Sequence, residues 1–214
     1  VSTRSKKLKT KYDAIIIGAG VIGAAVSFEL SKKGFKTLNI DRNPTSGYGS
    51  TSASCAIIRV HYSTFDGCAL AYEGYHYWKK WEEYLEHKDE KGLAKFIECG
   101  CMIYQTKEND YLKNVINRAQ ELKIPYENWN SEMIKSKLPI VEIGKFGPVK
   151  LTSDKEFGKN NGENLKGAIF FPTAGYISDP QLSAHNLQRA SEKKGADYLF
   201  NSSVVKILTD RDRV

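Results

Sequence analysis

Gly18, Gly20 and Gly23 stand in the spacing G-x-G-x-x-G, and the acid Asp41 follows a little over twenty residues later. These residue types suit a ligand that carries phosphate and sugar. The first glycine of such a set allows a tight turn, the second lets backbone approach a pyrophosphate, and the third lets a helix pack closely on a strand. A helix beginning at Val21 and Ile22 offers unpaired N–H groups and a partial positive charge to the phosphates. Asp41 is then placed to accept hydrogen bonds from ribose hydroxyls.

Glycine spacing alone is weak evidence, so the elements around it decide. Ala14 to Ile17 is a short apolar run rich in β-branched residues, which reads as a strand buried on both faces, as in a parallel sheet. Val21, Ile22, Ala25, Val26 and Leu30 then recur at helical spacing until Gly34, and Phe35 to Ile40 forms a second apolar strand ending on Asp41. Strand, glycine turn, helix, strand and acid together predict a dinucleotide site in an α/β, Rossmann-like domain with a parallel sheet.

Composition excludes several other classes. At 41% hydrophobic and 27% charged, with no apolar run long enough to span a bilayer, the chain reads as a soluble globular protein. The net charge of +7 is suggestive of nucleic acid, but Arg4, Lys6, Lys7, Lys9 and Lys11 carry most of it ahead of the first strand. Residues 1–11 read as a solvated, disordered leader without the apolar core of a secretory signal. Cys55, Cys68, Cys99 and Cys101 make no disulfide framework and show no zinc-like spacing, so buried, reduced thiols and a cytoplasmic location are expected, with no metal.

Past Asp41 and Arg42 comes Gly49 to Tyr62, GSTSASCAIIRVHY. Ser50, Thr51 and Ser52 are candidates to cap a helix and to present N–H groups to a second phosphate. Asp66 to His87 reads as one amphipathic helix, with Leu70, Tyr77, Trp78, Trp81 and Leu85 to one side. Phe96 to Gln105 reads as a strand, Asn109 to Leu122 and Ser131 to Lys137 as helices, and residues 144–163 as a loop or hairpin. Gly167 to Phe171 is an expected strand and Pro172 to Tyr176 a turn. Asp179-Pro180 caps a helix running to about Gly195. Ser202 to Leu208 reads as a last strand, with a turn at Asp210 to Asp212 and a further strand beginning at Val214.

The runs IIIGAGVIGAA…IDR and GST…IIR.HY, with GYISDP–helix–KGA–strand–NSSVVKI, resemble the FAD-dependent amine and amino-acid oxidoreductases of the D-amino-acid oxidase superfamily. The sarcosine oxidase and dimethylglycine dehydrogenase branch is the nearest match. The resemblance implies an FAD-binding domain over residues 12–90 and 165–214, interleaved with a portion of a mixed-sheet α+β substrate domain over 91–164. It implies that Gly18, Gly20, Val21, Ile22 and Gly23 meet the pyrophosphate, Asp41 the ribose and Arg42 the adenine side. Ser50 and Thr51 would approach the flavin end, and Val204 the adenine through its backbone. Arg59, at the IIR position, would bind the substrate carboxylate, a task suited to a bidentate guanidinium. A structural ion pair is the competing reading of Arg59.

Two positions depart from the pattern. Ala56 stands where sarcosine oxidases commonly carry a second basic residue, and Ala53 where dimethylglycine dehydrogenases carry a flavin-linked histidine. FAD is therefore expected to be held non-covalently through the residues present. His61 reads as a packing or hydrogen-bonding residue. The chemistry implied is hydride transfer from a secondary or tertiary amino acid of sarcosine, dimethylglycine or proline type to flavin N5. Oxygen, a quinone or an electron-transfer protein would accept the electrons. Related flavoproteins are about twice as long, so the remaining half is expected from a longer protein or a partner subunit. An NAD(P)-dependent enzyme and a non-catalytic FAD-binding subunit are the alternatives.

Overall fold

The computed structural model describes residues 11–106 and 112–209. The basic leader, the start of the helix expected from Asn109, the turn at Asp210 to Asp212 and the strand expected at Val214 lie outside these residues. In chain order the elements begin with β1 (Ala14–Ile17), α1 (Val21–Lys32), β2 (Thr37–Ile40), β3 (Ile57–Ile58) and α2 (Phe65–Lys79). There follow α3 (Trp81–Leu85), β4 (Phe96–Ile97), β5 (Cys101–Tyr104), α4 (Leu112–Glu121), β6 (Glu127–Asn130) and α5 (Ser131–Lys137). The last are β7 (Gly167–Phe171), β8 (Gly175–Ile177), α6 (Pro180–Lys193) and β9 (Asp197–Leu199). They form two compact units. Of the described residues, one unit holds 11–57, 77–97 and 176–209, and the other holds 58–76, 98–106 and 112–175.

In the first unit a parallel sheet of order β1-β2-β9 pairs Ile17 with Ile40, and Ile40 with Leu199. Its core gathers Ala24 and Phe28 of α1 with Trp81, Leu85, Leu187 and Ala190. Of the apolar residues read at helical spacing in α1, Val21 and Ala25 pack against this core, but the fully buried positions are others. Ala24, Ser27, Phe28 and Ser31 are buried, whereas Ile22 is 79% exposed. The reason is a hydroxyl network: Ser27 and Ser31 both bond Thr37 of β2, at 3.0 and 3.3 Å, so small polar residues carry the close helix–strand contact. Nor is β1 buried on both faces, for Ile15 is 53% and Ile17 60% exposed. It lies at the edge of its sheet, and no described element covers that face.

The long helix expected over Asp66 to His87 is two helices. Lys80, at φ −115° and ψ 40°, interrupts it, and Leu70 is exposed rather than part of the apolar side. The strand expected over Phe96 to Gln105 is also divided. Phe96–Ile97 pairs with β8, and Cys101–Tyr104 with β7, because Gly100 takes a positive φ of 80° between them. Gly175 and Tyr176, expected within a turn, belong to the strand β8.

In the second unit an antiparallel sheet of order β5-β7-β6 carries a core of Trp129, Ile134, Ile143 and Ala168. The Trp129 and Phe170 rings stack at 4.2 Å. Strand β6 has the polar sequence ENWN and gave no strand signal; Trp129 alone of the four faces inward. Asn130 then caps α5 by accepting from the Met133 N–H. Residues 144–163 form a loop closed at its base, where the Lys145 N–H donates to the Glu163 carbonyl and the Leu165 N–H to that of Ile143. Only Cys68 of the four cysteines is buried; Cys55 and Cys99 are exposed and Cys101 is half-buried on the edge strand β5.

Candidate dinucleotide site

The glycine turn grows directly out of the parallel sheet. After β1 the Gly18 N–H donates to the Ile40 carbonyl at 2.8 Å, and Gly18 then adopts φ 109°, a region that a residue with a Cβ rarely enters. Gly20, in an extended conformation, is the N-cap of α1, which starts at Val21. At Gly23 a Cβ would lie 2.2 Å from the Gly18 carbonyl oxygen, so the helix can sit this close to the turn only without a side chain there. Asn39 of β2, fully buried, donates through its amide to the carbonyls of Gly18 and Gly23 at 3.2 and 3.1 Å. It stitches both ends of the motif to the neighbouring strand. A polar residue within an apolar strand was the sequence signal for it.

Asp41 closes the turn from the other side. Its Oδ2 accepts from the Ala19 N–H at 2.7 Å and its Oδ1 from the Asn43 N–H at 2.8 Å. Each oxygen keeps a further lone pair for a hydroxyl donor. Beside it opens a cavity of about 320 Å³ lined by Gly18, Asp41, Arg42, Asn43, Ser203 and Val204 among others. This lies at the carboxyl ends of β1 and β2, where open α/β sheets take their ligands. The segment after β9 is held there by the Ser202 N–H, which donates to the Asp41 carbonyl at 3.0 Å. Residues 202–208 are not a strand. No described residue offers them a partner ladder, and Val205 and Leu208 stand exposed.

Residues 50–52 open no helix. They lie in a run of turns, and Thr51 reaches back to α1 instead, its Oγ1 accepting from the Val21 N–H at 3.0 Å. The second glycine is needed for this approach, since a Cβ on Gly20 would come within 3.1 Å of that oxygen. With Val21 capped, the first-turn N–H groups of Ile22 and Gly23 remain for an anion. Ser50 is exposed, as are Ser52 and Ala53. The structure thus brings Gly18, Asp41, Arg42 and Val204 around one cavity and Gly20, Val21 and Thr51 around the helix start. Side-chain-free glycines, first-turn donors and a carboxylate with spare acceptor capacity fit a dinucleotide.

In the second unit Arg59 is exposed, and its guanidinium lies over the Tyr62 ring at 4.6 Å from the ring centre. Tyr62 is fixed by the buried Cys68, whose thiol accepts from the Tyr62 N–H and donates to its carbonyl, both at 3.1 Å. His61 is buried and stacks on Phe171 at 5.0 Å. Burial, assisted by the charge of Arg59, lowers its pKa to about 4, so it is neutral near pH 7.

Among the described residues Asp89, Glu90 and His185 come near enough to share a metal ion, but their ligand atoms are already engaged. Asp89 takes hydrogen bonds from the Lys91 N–H, Asn186 and His185, and Glu90 pairs with Arg189. Burial would raise the Asp89 pKa, but those three donors outweigh it and hold the carboxylate below its ordinary range.

Fold and cavity define an α/β protein of the dinucleotide-binding class. Residues 13–214 match the family described as FAD dependent oxidoreductase, and the chain belongs to that family. It is 27% identical over 204 residues to an N-methyl-L-tryptophan oxidase of Yersinia pestis (strain Pestoides F), covering 92% of this chain and 46% of that protein. Among solved structures, L-proline dehydrogenase from P. horikoshii superposes with a TM-score of 0.75 at 20% identity, over 95% of this chain and 48% of the other. A glycine oxidase from Geobacillus kaustophilus gives 0.67 at 23% identity, over 89% and 46%. The chain therefore spans about half the length of the relatives it matches. No described helix is long and apolar enough to cross a membrane.

Proposed function

We propose that this chain is the N-terminal part of an FAD-dependent oxidoreductase that oxidises the C–N bond of an amino acid, with a secondary or tertiary amino acid of sarcosine, dimethylglycine or proline type as substrate. The observation that carries the reading is the cavity in which Asp41 and the glycine turn meet, in a chain of this family. The names of its relatives, an N-methyl amino-acid oxidase and a proline dehydrogenase, support the substrate class.

FAD, when bound, supplies the two-electron acceptor that amine oxidation requires. The chain's own residues bind and orient. Ile22 and Gly23 N–H groups meet the pyrophosphate, Asp41 accepts from the ribose, and Arg42 and the backbone at Val204 flank the adenine. Ser50 and Thr51 lie toward the flavin end. Arg59 takes the substrate carboxylate as a bidentate ion pair. Attachment of FAD is non-covalent through these residues. The first unit is the cofactor-binding part and the second a portion of the substrate domain. The rest of the enzyme comes from a continuation of the chain or from a partner subunit, the location is the cytoplasm, and oxygen, a quinone or an electron-transfer protein reoxidises the flavin.

Purified protein, as isolated and after titration with FAD, tests the reading by its visible spectrum. Retention of FAD with a flavin spectrum, and reduction of that spectrum by an N-methyl amino acid in the longer protein, are the expected results. Failure to take up FAD, or uptake of NAD(P) instead, overturns it.

A further inference from the structure

Cys99, Gly100 and Cys101 lie in the second unit, where the chain enters the edge strand β5. Cys99 is exposed and Cys101 half-buried. In an extended strand, residues two apart lie about 6.7 Å from each other. That is at the upper limit of the Cα separation a disulfide tolerates, about 4.4–6.8 Å. Gly100, at φ 80°, stands between the two thiols. Its backbone is fixed: the Gly100 N–H donates to the Ala174 carbonyl at 2.8 Å, and a Cβ there would lie 2.2 Å from the Phe170 ring.

We propose that Cys99 and Cys101 form a dithiol modification site that hydrogen peroxide closes into an intrachain disulfide. The inference does not rest on the FAD reading. In the first step the Cys99 thiolate attacks one peroxide oxygen, the O–O bond breaks, and hydroxide leaves and takes up a proton as water. Cys99 is then a sulfenic acid. In the second step the Cys101 thiolate attacks the Cys99 sulfur, the S–O bond breaks, and a second hydroxide leaves as water. Two thiols and one peroxide thus give one disulfide and two waters.

Exposure assigns the order, since Cys99 meets the oxidant and Cys101 resolves. Burial pushes the Cys101 thiol up, the Arg59 charge pulls it the other way, and Cys99 adds to the rise. The net direction is upward, so the second step is expected to run faster as pH rises and more of the Cys101 thiolate forms. Neither remaining cysteine offers the same arrangement. Cys68 is buried with its thiol bonded to Tyr62, and Cys55 has no cysteine within a few residues of it.

The test treats the reduced full chain with hydrogen peroxide and reads intact mass, followed by iodoacetamide alkylation and peptide mapping. The expected result is loss of two hydrogens, with the peptide holding Cys99 and Cys101 protected from alkylation until dithiothreitol is added. Cys99→Ser and Cys101→Ser should each abolish that loss, and in Cys101→Ser the Cys99 sulfenic acid should accumulate and be trapped by dimedone. Peptide mapping of the unsubstituted chain decides the matter even where a variant folds poorly. Oxygen addition at Cys99 with Cys101 still alkylated, unreacted thiols, or a bridge to Cys55 or to a second chain would overturn the proposal.

Discussion

The Asp41 carboxylate reaches from the end of β2 to the glycine turn and accepts the Ala19 N–H at 2.7 Å, while its other oxygen accepts the Asn43 N–H. The acid therefore shapes the turn as well as facing the cavity. An amide at this position has only one oxygen to offer two facing donors, and its NH₂ group would point at the second. Asp41→Asn is expected to lower FAD affinity about 10- to 100-fold, the equivalent of losing a hydrogen bond to a charged group, roughly 1.5–3 kcal/mol. Fluorescence titration with FAD measures this. Unchanged affinity would restrict Asp41 to holding the turn.

Thr51 caps α1 from thirty residues away through the Val21 N–H. Thr51→Val keeps the shape and removes the acceptor, leaving that N–H without its partner. Loss of about 1 kcal/mol of stability is expected, as for other helix caps, whereas Thr51→Ser should stay close to the parent. Thermal unfolding of the three proteins side by side tests the difference. Equal midpoints for Val and Ser would mean that water replaces the hydroxyl.

Local chemistry explains which parts of this architecture were legible in the sequence. The glycine turn, the helix behind it, Asp41 and the Asp179-Pro180 start of α6 announce themselves, because each is a backbone requirement met by particular residue types close in sequence. The part that Ser27 and Ser31 play in α1 was not legible, because their contact with Thr37 is made by hydroxyls, which no apolar periodicity reports. Thr51 was placed on a helix of its own because its true partner, Val21, is distant in sequence. Strand β6 carries a single inward residue, Trp129, and its pairing to β7 supplies what its own pattern lacks. Asn39 escaped notice for the same reason, since its two acceptors, Gly18 in the glycine turn and Gly23 in α1, lie well before it in sequence.

Arg59 rests on the Tyr62 ring, a contact worth about 0.5–1 kcal/mol at an exposed site. If the proposed role is right, Arg59→Ala in the longer enzyme raises KM for a carboxylate substrate about 10- to 100-fold and leaves FAD affinity unchanged. Arg59→Lys should recover only part of this, because a point charge lacks the planar fork. Steady-state kinetics beside an FAD titration separate the effects. An unaltered KM with a lower unfolding temperature would assign the arginine to structure.

His61 gives a pH signature of its own. Its pKa falls from an ordinary 6.5 to about 4 through burial and the neighbouring Arg59, so the unfolded chain takes up a proton at higher pH than the folded one. Between pH 6.5 and 4 the unfolded state binds more protons, and stability must fall as pH falls through that window. Above 6.5 both states are neutral at this site and the contribution is fully present; below about 4 both are protonated and no more is lost. At about 1.4 kcal/mol per pH unit the whole effect is about 3 kcal/mol at most. His61→Phe keeps an aromatic ring to stack on Phe171 and removes the titrating group. Denaturant unfolding at a series of pH values should then show a steeper acid-side loss in the parent than in His61→Phe, with the two curves parallel above pH 6.5. Curves parallel throughout would mean that His61 ionises alike in folded and unfolded chains, and that water reaches its ring.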